Sequence, residues 1–451
     1  MSRAVAAMTR PGPLATSLRR TLALLLAPAL LAGCSLWEEE ERLAGERVPV
    51  RSLPEQGEEG DRVIARPLPP AQAIEAWTQV AANAAHNAGH LAGPAEPARV
   101  WSADAGTGSS SDSFITAPPV VGGGLVFALD AAAGIGAVDA ASGALRWETS
   151  LVPNEEEEGE EGFGGGLALA GGRLFATTGF GEVLALDPAS GEVLWRRAFG
   201  APFRAGPAAA DGLVVAVSRA STAFALSAQT GEIVWRVQGV GAEAGFLGGA
   251  SPAVGGGGAV LPFSSGELVA VDAVTGRRLW GAVITGGRRG LARASITDLT
   301  GDPVLVGPIV VSANQSGRIA ALETRSGRRL WTREIGSTQP IWAAGETLFL
   351  VSDTAELMRL DAGTGETLWS RALPAFEDPD DREDPITYSG PVLVSGRLLV
   401  TDSLGNLWSV DARTGEGAPV AQVPDGSTTG PVVAGGTVYV LSEDAELHAY
   451  R

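Results

Sequence analysis

Few residues in this 451-residue chain have the type and spacing to do chemistry. Cys34 is the only thiol, so the chain by itself forms no intramolecular disulfide. His86 and His90 stand four apart, a spacing that holds a metal on a helix, but Asn87-Ala88-Gly89 between them is poor helix sequence. A structural or surface role is the better reading for both. Acidic runs at Glu155–Glu161 and Glu377–Asp384 bring carboxylates together without the regular Asp-x-Asp-x-Asp-Gly spacing of a calcium loop. They read as solvated insertions. No nucleophile–base pair or metal-ligand cluster stands out. The sequence therefore predicts no catalytic residue, no metal and no cofactor. The formal net charge of −19 repels phosphate backbones and argues against nucleic acid as a partner.

The elements that carry these residues come from a repeat. Leu186-Asp187-Pro188-Ala189-Ser190-Gly191-Glu192-Val193-Leu194-Trp195 reads as a strand end, a tight turn and the next strand. Asp187 can cap backbone N–H groups ahead of it, and Gly191 can take a positive φ. Copies run from Asp139 to Trp147, Ser227 to Trp235, Asp272 to Trp280, Glu323 to Trp331 and Asp361 to Trp369. Asp411–Gly415 repeats the turn, with Pro419 in the Trp place, and Glu446–Tyr450 is an eighth pre-turn strand that stops at the terminus. The Trp residues recur at intervals of roughly 40–50 residues, the period of a four-stranded propeller blade. Most periods open with Pro and an apolar run, as in Pro252-Ala253-Val254. The abundance of glycine (61) and proline (28) suits many short strands.

The expected fold is all-β: an eight-bladed β-propeller over 98–451. Arg99-Val100-Trp101-Ser102 looks like the fourth strand missing from the last blade, which closes the ring with both termini and removes its open edge. Upstream, Arg19-Arg20, the apolar Leu22–Leu26 and the small residues before Cys34 describe a secretory signal over 1–33. Residues 34–70 read as a flexible tether. Residues 71–97 read as a segment lying on the ring, with a short helix over Ala71–Ala82 and Trp77 against the blades.

Leu31-Ala32-Gly33-Cys34 resembles the bacterial lipobox, which implies lipidation of Cys34, and Ser35 in place of Asp implies the outer membrane. The repeat Ala-x-Asp-x-x-[Ser/Thr]-Gly-x-x-x-Trp resembles that of pyrroloquinoline-quinone-type propellers. The quinoprotein dehydrogenases share it, but they use an Asp base, calcium and often two adjacent cysteines, and the chain has no cysteine besides Cys34. The lipobox, tether, eight units and N-terminal closing strand together resemble the BamB family, lipoproteins of the β-barrel assembly machinery. Ala244–Pro252 and Leu291–Thr300 resemble that family's partner-binding loops, with Leu247 where the family has Arg and Thr300 where it has a second acid.

That resemblance implies a non-catalytic scaffold, lipid-anchored on the periplasmic face of the outer membrane. It would be a single copy in a hetero-complex, touching the periplasmic domains of the barrel-assembly protein through Phe246, Leu247, Asp298 and Leu299. A quinoprotein-like enzyme and a ligand-binding propeller using the central funnel are the alternatives. If Cys34 carries the anchor, Cys34→Ser should leave the protein in the soluble periplasmic fraction or as uncut precursor. Fractionation of the variant with outer membrane, undiminished, would show that acylation is not the anchor.

Overall fold

The computed structural model describes residues 66–153, 162–242, 245, 248–286 and 296–451. Eight four-stranded antiparallel sheets make the blades. Blades 1 to 7 span 120–150, 165–198, 208–238, 253–283, 304–333, 342–372 and 388–422. Blade 8 joins 432–450 to Arg99–Asp104 at the other end of the chain. In blades 1 to 7 the strands follow one another across the sheet, innermost first.

Burial separates the strands by role. Second and third strands such as Arg173–Thr178 and Glu182–Leu186 are almost wholly buried, whereas fourth strands such as Val193–Ala198 are mostly exposed, with Trp195 the buried residue. That is the pattern of sheets stacked face to face with their outer edges in water. Pro119, Pro252, Pro303 and Pro431 stand one residue before their strands, where no ladder donor is lost. Pro391 lies inside Tyr388–Val394, at a shift in register between Ser389 and Val392. The acidic run 377–384 belongs to a small hairpin, Phe376–Asp378 with Glu383–Pro385. The other run, 155–161, lies outside the described residues.

One contact joins blade to blade. Asp187 caps the N–H groups of Ala189 and Ser190, and the Gly191 N–H donates to the Asp187 carbonyl at 2.8 Å. Gly191 has φ +75°, and a Cβ there would come 2.6 Å from the Trp147 ring. The indole of the preceding blade thus lies on the bare glycine, and its Nε1–H donates to the Pro188 carbonyl at 3.0 Å. Trp195, Trp235, Trp280, Trp331 and Trp369 repeat the arrangement on the next blade's turn, donating to Ala228, Ala273, Thr324, Ala362 and Ala412.

The closing strand is as the sequence predicts. Trp101 pairs with Ala449, Ser102 with His448 and Asp104 with Glu446. Trp101 lies over Gly143 of blade 1, beside Tyr439. Its Nε1 has no acceptor, because the Tyr439 hydroxyl donates to Ala140 in its place. The Ser102 hydroxyl and His448 Nδ1 are 2.7 Å apart, and burial lowers the pKa of that imidazole to about 4.

The segment before the closing strand differs from its expectation. Its only helical element is a three-residue 3-10 turn, Val80–Ala82, so the helix over Ala71–Ala82 is not formed. Its own donors bond partly within the segment, as at Thr78, Ala82 and His86, in turns rather than a helix, while the ring's N–H groups donate to its carbonyls. Between Ile74 and Leu91 the chain crosses the channel and bonds to every blade. Trp77 exchanges backbone bonds with Val121, Thr78 accepts from Leu169, and the Gln79 amide bonds both ways to Ala209. Ala84 and Ala85 accept from Val254 and Leu305, Gly89 from the Trp342 indole, Leu91 bonds to Leu393, and Ile74 accepts from Gly435. Trp77 is buried and stacks on Trp342 with centroids 5.7 Å apart.

The predicted tether also ends earlier than residue 70. Arg66 pairs with Glu346 and Asp361, and Pro69 accepts from His90. This strap, 66–97, makes a core with blades 1, 6, 7 and 8. Trp77→Ala should destabilise the ring by roughly 3–5 kcal/mol in equilibrium urea unfolding, the cost of an emptied aromatic site. A loss under about 0.5 kcal/mol, the scale of a surface change, would mean the strap only rests on the blades.

Candidate functional site

The first strand of each blade runs from one face of the ring to the strap. At its start, opposite the strap, the connections between blades converge on a central funnel of about 460 Å³. All eight blades line it, among them Phe114, Gly166, Arg204, Ser251, Asp302, Gln339, Ser389 and Thr429, and Val80 of the strap lies at its inner end. The walls are mostly glycine, hydroxyl residues and backbone, because eight connections meet where only small side chains fit.

The two connections singled out in the sequence lie on this face and touch. The Ala250 N–H donates to the Leu299 carbonyl at 3.3 Å, and the Ser251 N–H donates to Asp302 Oδ1 at 2.6 Å. Asp298, however, is not presented to a partner. Its side chain is 1% exposed and holds the Arg204 guanidinium in a two-pronged pair, at 2.6 and 3.1 Å. A Cβ on Gly245 would sit 2.7 Å from the Asp298 carboxylate, so the first connection crosses directly over this pair. Leu299 is buried too, in the core between blades 4 and 5. The expected surface patch therefore does not include the Asp298 and Leu299 side chains, which fasten the connection to the ring. Phe246 and Leu247 lie outside the described residues, as does Cys34.

The histidines bind backbone, not metal. His86 is buried in the strap and its Nδ1–H donates to the Pro303 carbonyl at 2.8 Å, with burial lowering its pKa to about 4. His90 Nε2 accepts from the Gly396 N–H and its Nδ1–H donates to Pro69. Among the described residues no group of His, Cys, Asp or Glu is placed to hold a metal ion. Sequence reasoning missed Arg204 and Asp302. Arg204 sits in an ordinary connection 94 residues from its partner, and nothing local marks it.

An eight-bladed propeller with pyrroloquinoline-quinone-type repeats, its channel crossed at one end by an N-terminal strap, is the class these features define. A family model described as "Outer membrane protein assembly factor BamB" matches residues 131–371, more than half of the chain. The assembly factor BamB of Escherichia coli (strain K12) is 29% identical over 434 residues, 94% of this chain and 97% of that protein. The chain belongs to the BamB family. The crystal structure of BamB from Moraxella catarrhalis aligns with a TM-score of 0.64 at 18% identity, covering 79% of this chain and 99% of that one. The quinohemoprotein alcohol dehydrogenase of Comamonas testosteroni aligns with a TM-score of 0.62 at 14% identity, covering 84% and 81%, a likeness of fold.

Removing one member of a buried ion pair takes a counter-charge from its partner, at a cost of up to roughly 3–5 kcal/mol. Arg204→Met should fall at the low end of that range, since Arg204 keeps some solvent. The double variant Arg204→Met with Asp298→Leu should unfold at higher urea than Arg204→Met alone. Equal midpoints would show that the pair is not coupled.

Proposed function

We propose that this protein is a non-catalytic accessory factor in the assembly of outer-membrane β-barrel proteins, working on the periplasmic side of the outer membrane. The observation that carries this reading is the extent of its relationship to the assembly factors, which runs through nearly the whole of both chains. The ring is thus the part that this chain shares with the assembly factors. An enzyme would need a reacting group in the funnel. The funnel side chains offer one buried carboxyl, Asp302, and a guanidinium engaged with Asp298.

Two finer points belong to the same proposal. The membrane link is a lipid on Cys34, supported by its lipobox setting. Among the described residues no helix is long and apolar enough to cross a membrane. The partner is the barrel-assembly protein, met through its periplasmic domains at the connection between blades 3 and 4. Arg204, Asp298 and Leu299 support that connection from beneath, which leaves Phe246 and Leu247 as its contact residues.

Affinity isolation from outer membranes tests both levels. The native protein should co-purify with the assembly machinery. Phe246→Ala with Leu247→Asp should reduce that recovery at least tenfold and leave urea unfolding unchanged. Recovery of unrelated proteins with the native chain would overturn the assembly role. Normal recovery with the double variant would move the interface elsewhere.

A further inference from the structure

Two acids four residues apart, Asp298 and Asp302, are buried on the same side of the ring to nearly the same degree, with 1% and 6% exposure. The protein gives the first a cation, the Arg204 guanidinium. Among the described residues it gives the second none. The carboxyl of Asp302 accepts from backbone N–H groups, those of Ser251 and Asp302 itself, and among the described residues it has no ion pair.

Among the described residues, the titratable groups around Asp302 do not make up for this. Arg204 is held by Asp298. His86, which bonds the carbonyl of the next residue, Pro303, is kept neutral by burial. Asp302 lines the funnel, and the funnel wall next to it is Ser251 and Thr300. A carboxylate kept from water with only backbone donors is costly, and burial pushes its pKa up to about 7. A cation entering from the funnel would remove that cost in the same way that Arg204 removes it for Asp298.

We propose that the funnel is a binding site for one cationic group, an ammonium or guanidinium on an unbranched chain, with Asp302 as its counter-charge. The opening is on the face opposite the strap. The cavity of about 460 Å³ admits a side chain or a small polyamine and not a folded domain. Glycine and hydroxyl walls leave carbonyl and hydroxyl oxygens to share the ammonium protons, as three donors require. The overall charge of −19 raises the local concentration of such ligands. The inference stands on the funnel geometry and is independent of the assembly role.

Isothermal titration of the purified full-length protein tests it with two probes, 1,5-diaminopentane and the blocked tripeptide Ala-Lys-Ala, with 1-pentanol as the uncharged control. At least one cationic probe should bind at pH 8, and binding should weaken about tenfold at pH 6, where Asp302 is mostly protonated while the ammonium stays charged. Asp302→Asn keeps the acceptor for the Ser251 N–H and should abolish binding. As a readout free of mutation, binding at pH 6 should remove a protonated-carboxyl band from the infrared spectrum. Binding of the diamine alone points to a free amine, and binding of the peptide to a basic side chain of a protein. The proposal fails if neither probe binds, if pentanol binds as well, or if binding is the same at pH 6 and pH 8 with no infrared change.

Discussion

An indole lying on a bare glycine, with its N–H given to the neighbouring turn, ties each of blades 1 to 6 to the next, and the rest of the structure follows from that contact. Gly191 meets two requirements, a positive φ and room for Trp147, and a side chain would violate both. Buried aromatic area supplies most of the adhesion and the hydrogen bond fixes the angle. The same joint recurs six times around the ring, from Trp147 to Trp369. The exception at Pro419 has the same cause. The next blade, the eighth, has no turn between its third and fourth strands, because the chain ends there. An indole at 419 would have no glycine to lie on. A cleft opens at this seam between Val420–Gln422 and 96–99.

The strap acts on the ring in a different way. Blade contacts are local, whereas the strap bonds to all eight inner strands within the stretch from Ile74 to Leu91. It therefore constrains the channel diameter as a whole. By crossing one mouth it turns an open channel into a funnel with a single entrance. The small residues at that entrance are a consequence of crowding eight connections around one axis.

What was legible in the sequence was what repeats. The Asp-to-Gly turns, the Trp spacing, the closing strand at Val100–Ser102 and the non-helical setting of His86 and His90 all rest on local rules. Features that depend on a distant partner were not legible. Ala71–Ala82 has the composition of a helix but takes its shape from the strand ends it bridges, a case of tertiary contacts overriding propensity. Asp298 and Leu299 look like loop surface until Arg204 and the blade 4–5 core come into view. Asp302 has no sequence signal at all. Its character comes from burial beside an acid that already holds the available cation.

The closing strand and the strap also set the order of events when the protein is made. A polypeptide delivered from its N-terminus presents 66–104 first, yet their partners lie in blades 1 to 8, and the strand that pairs with Arg99–Asp104 ends one residue from the C-terminus. The middle blades pair strand to strand in sequence order, and apart from the strap their neighbours are sequential. The earliest segment must wait for the latest. Completion of the ring thus depends on Glu446–Tyr450: without that strand Arg99–Asp104 has no partner and the last blade keeps an open edge.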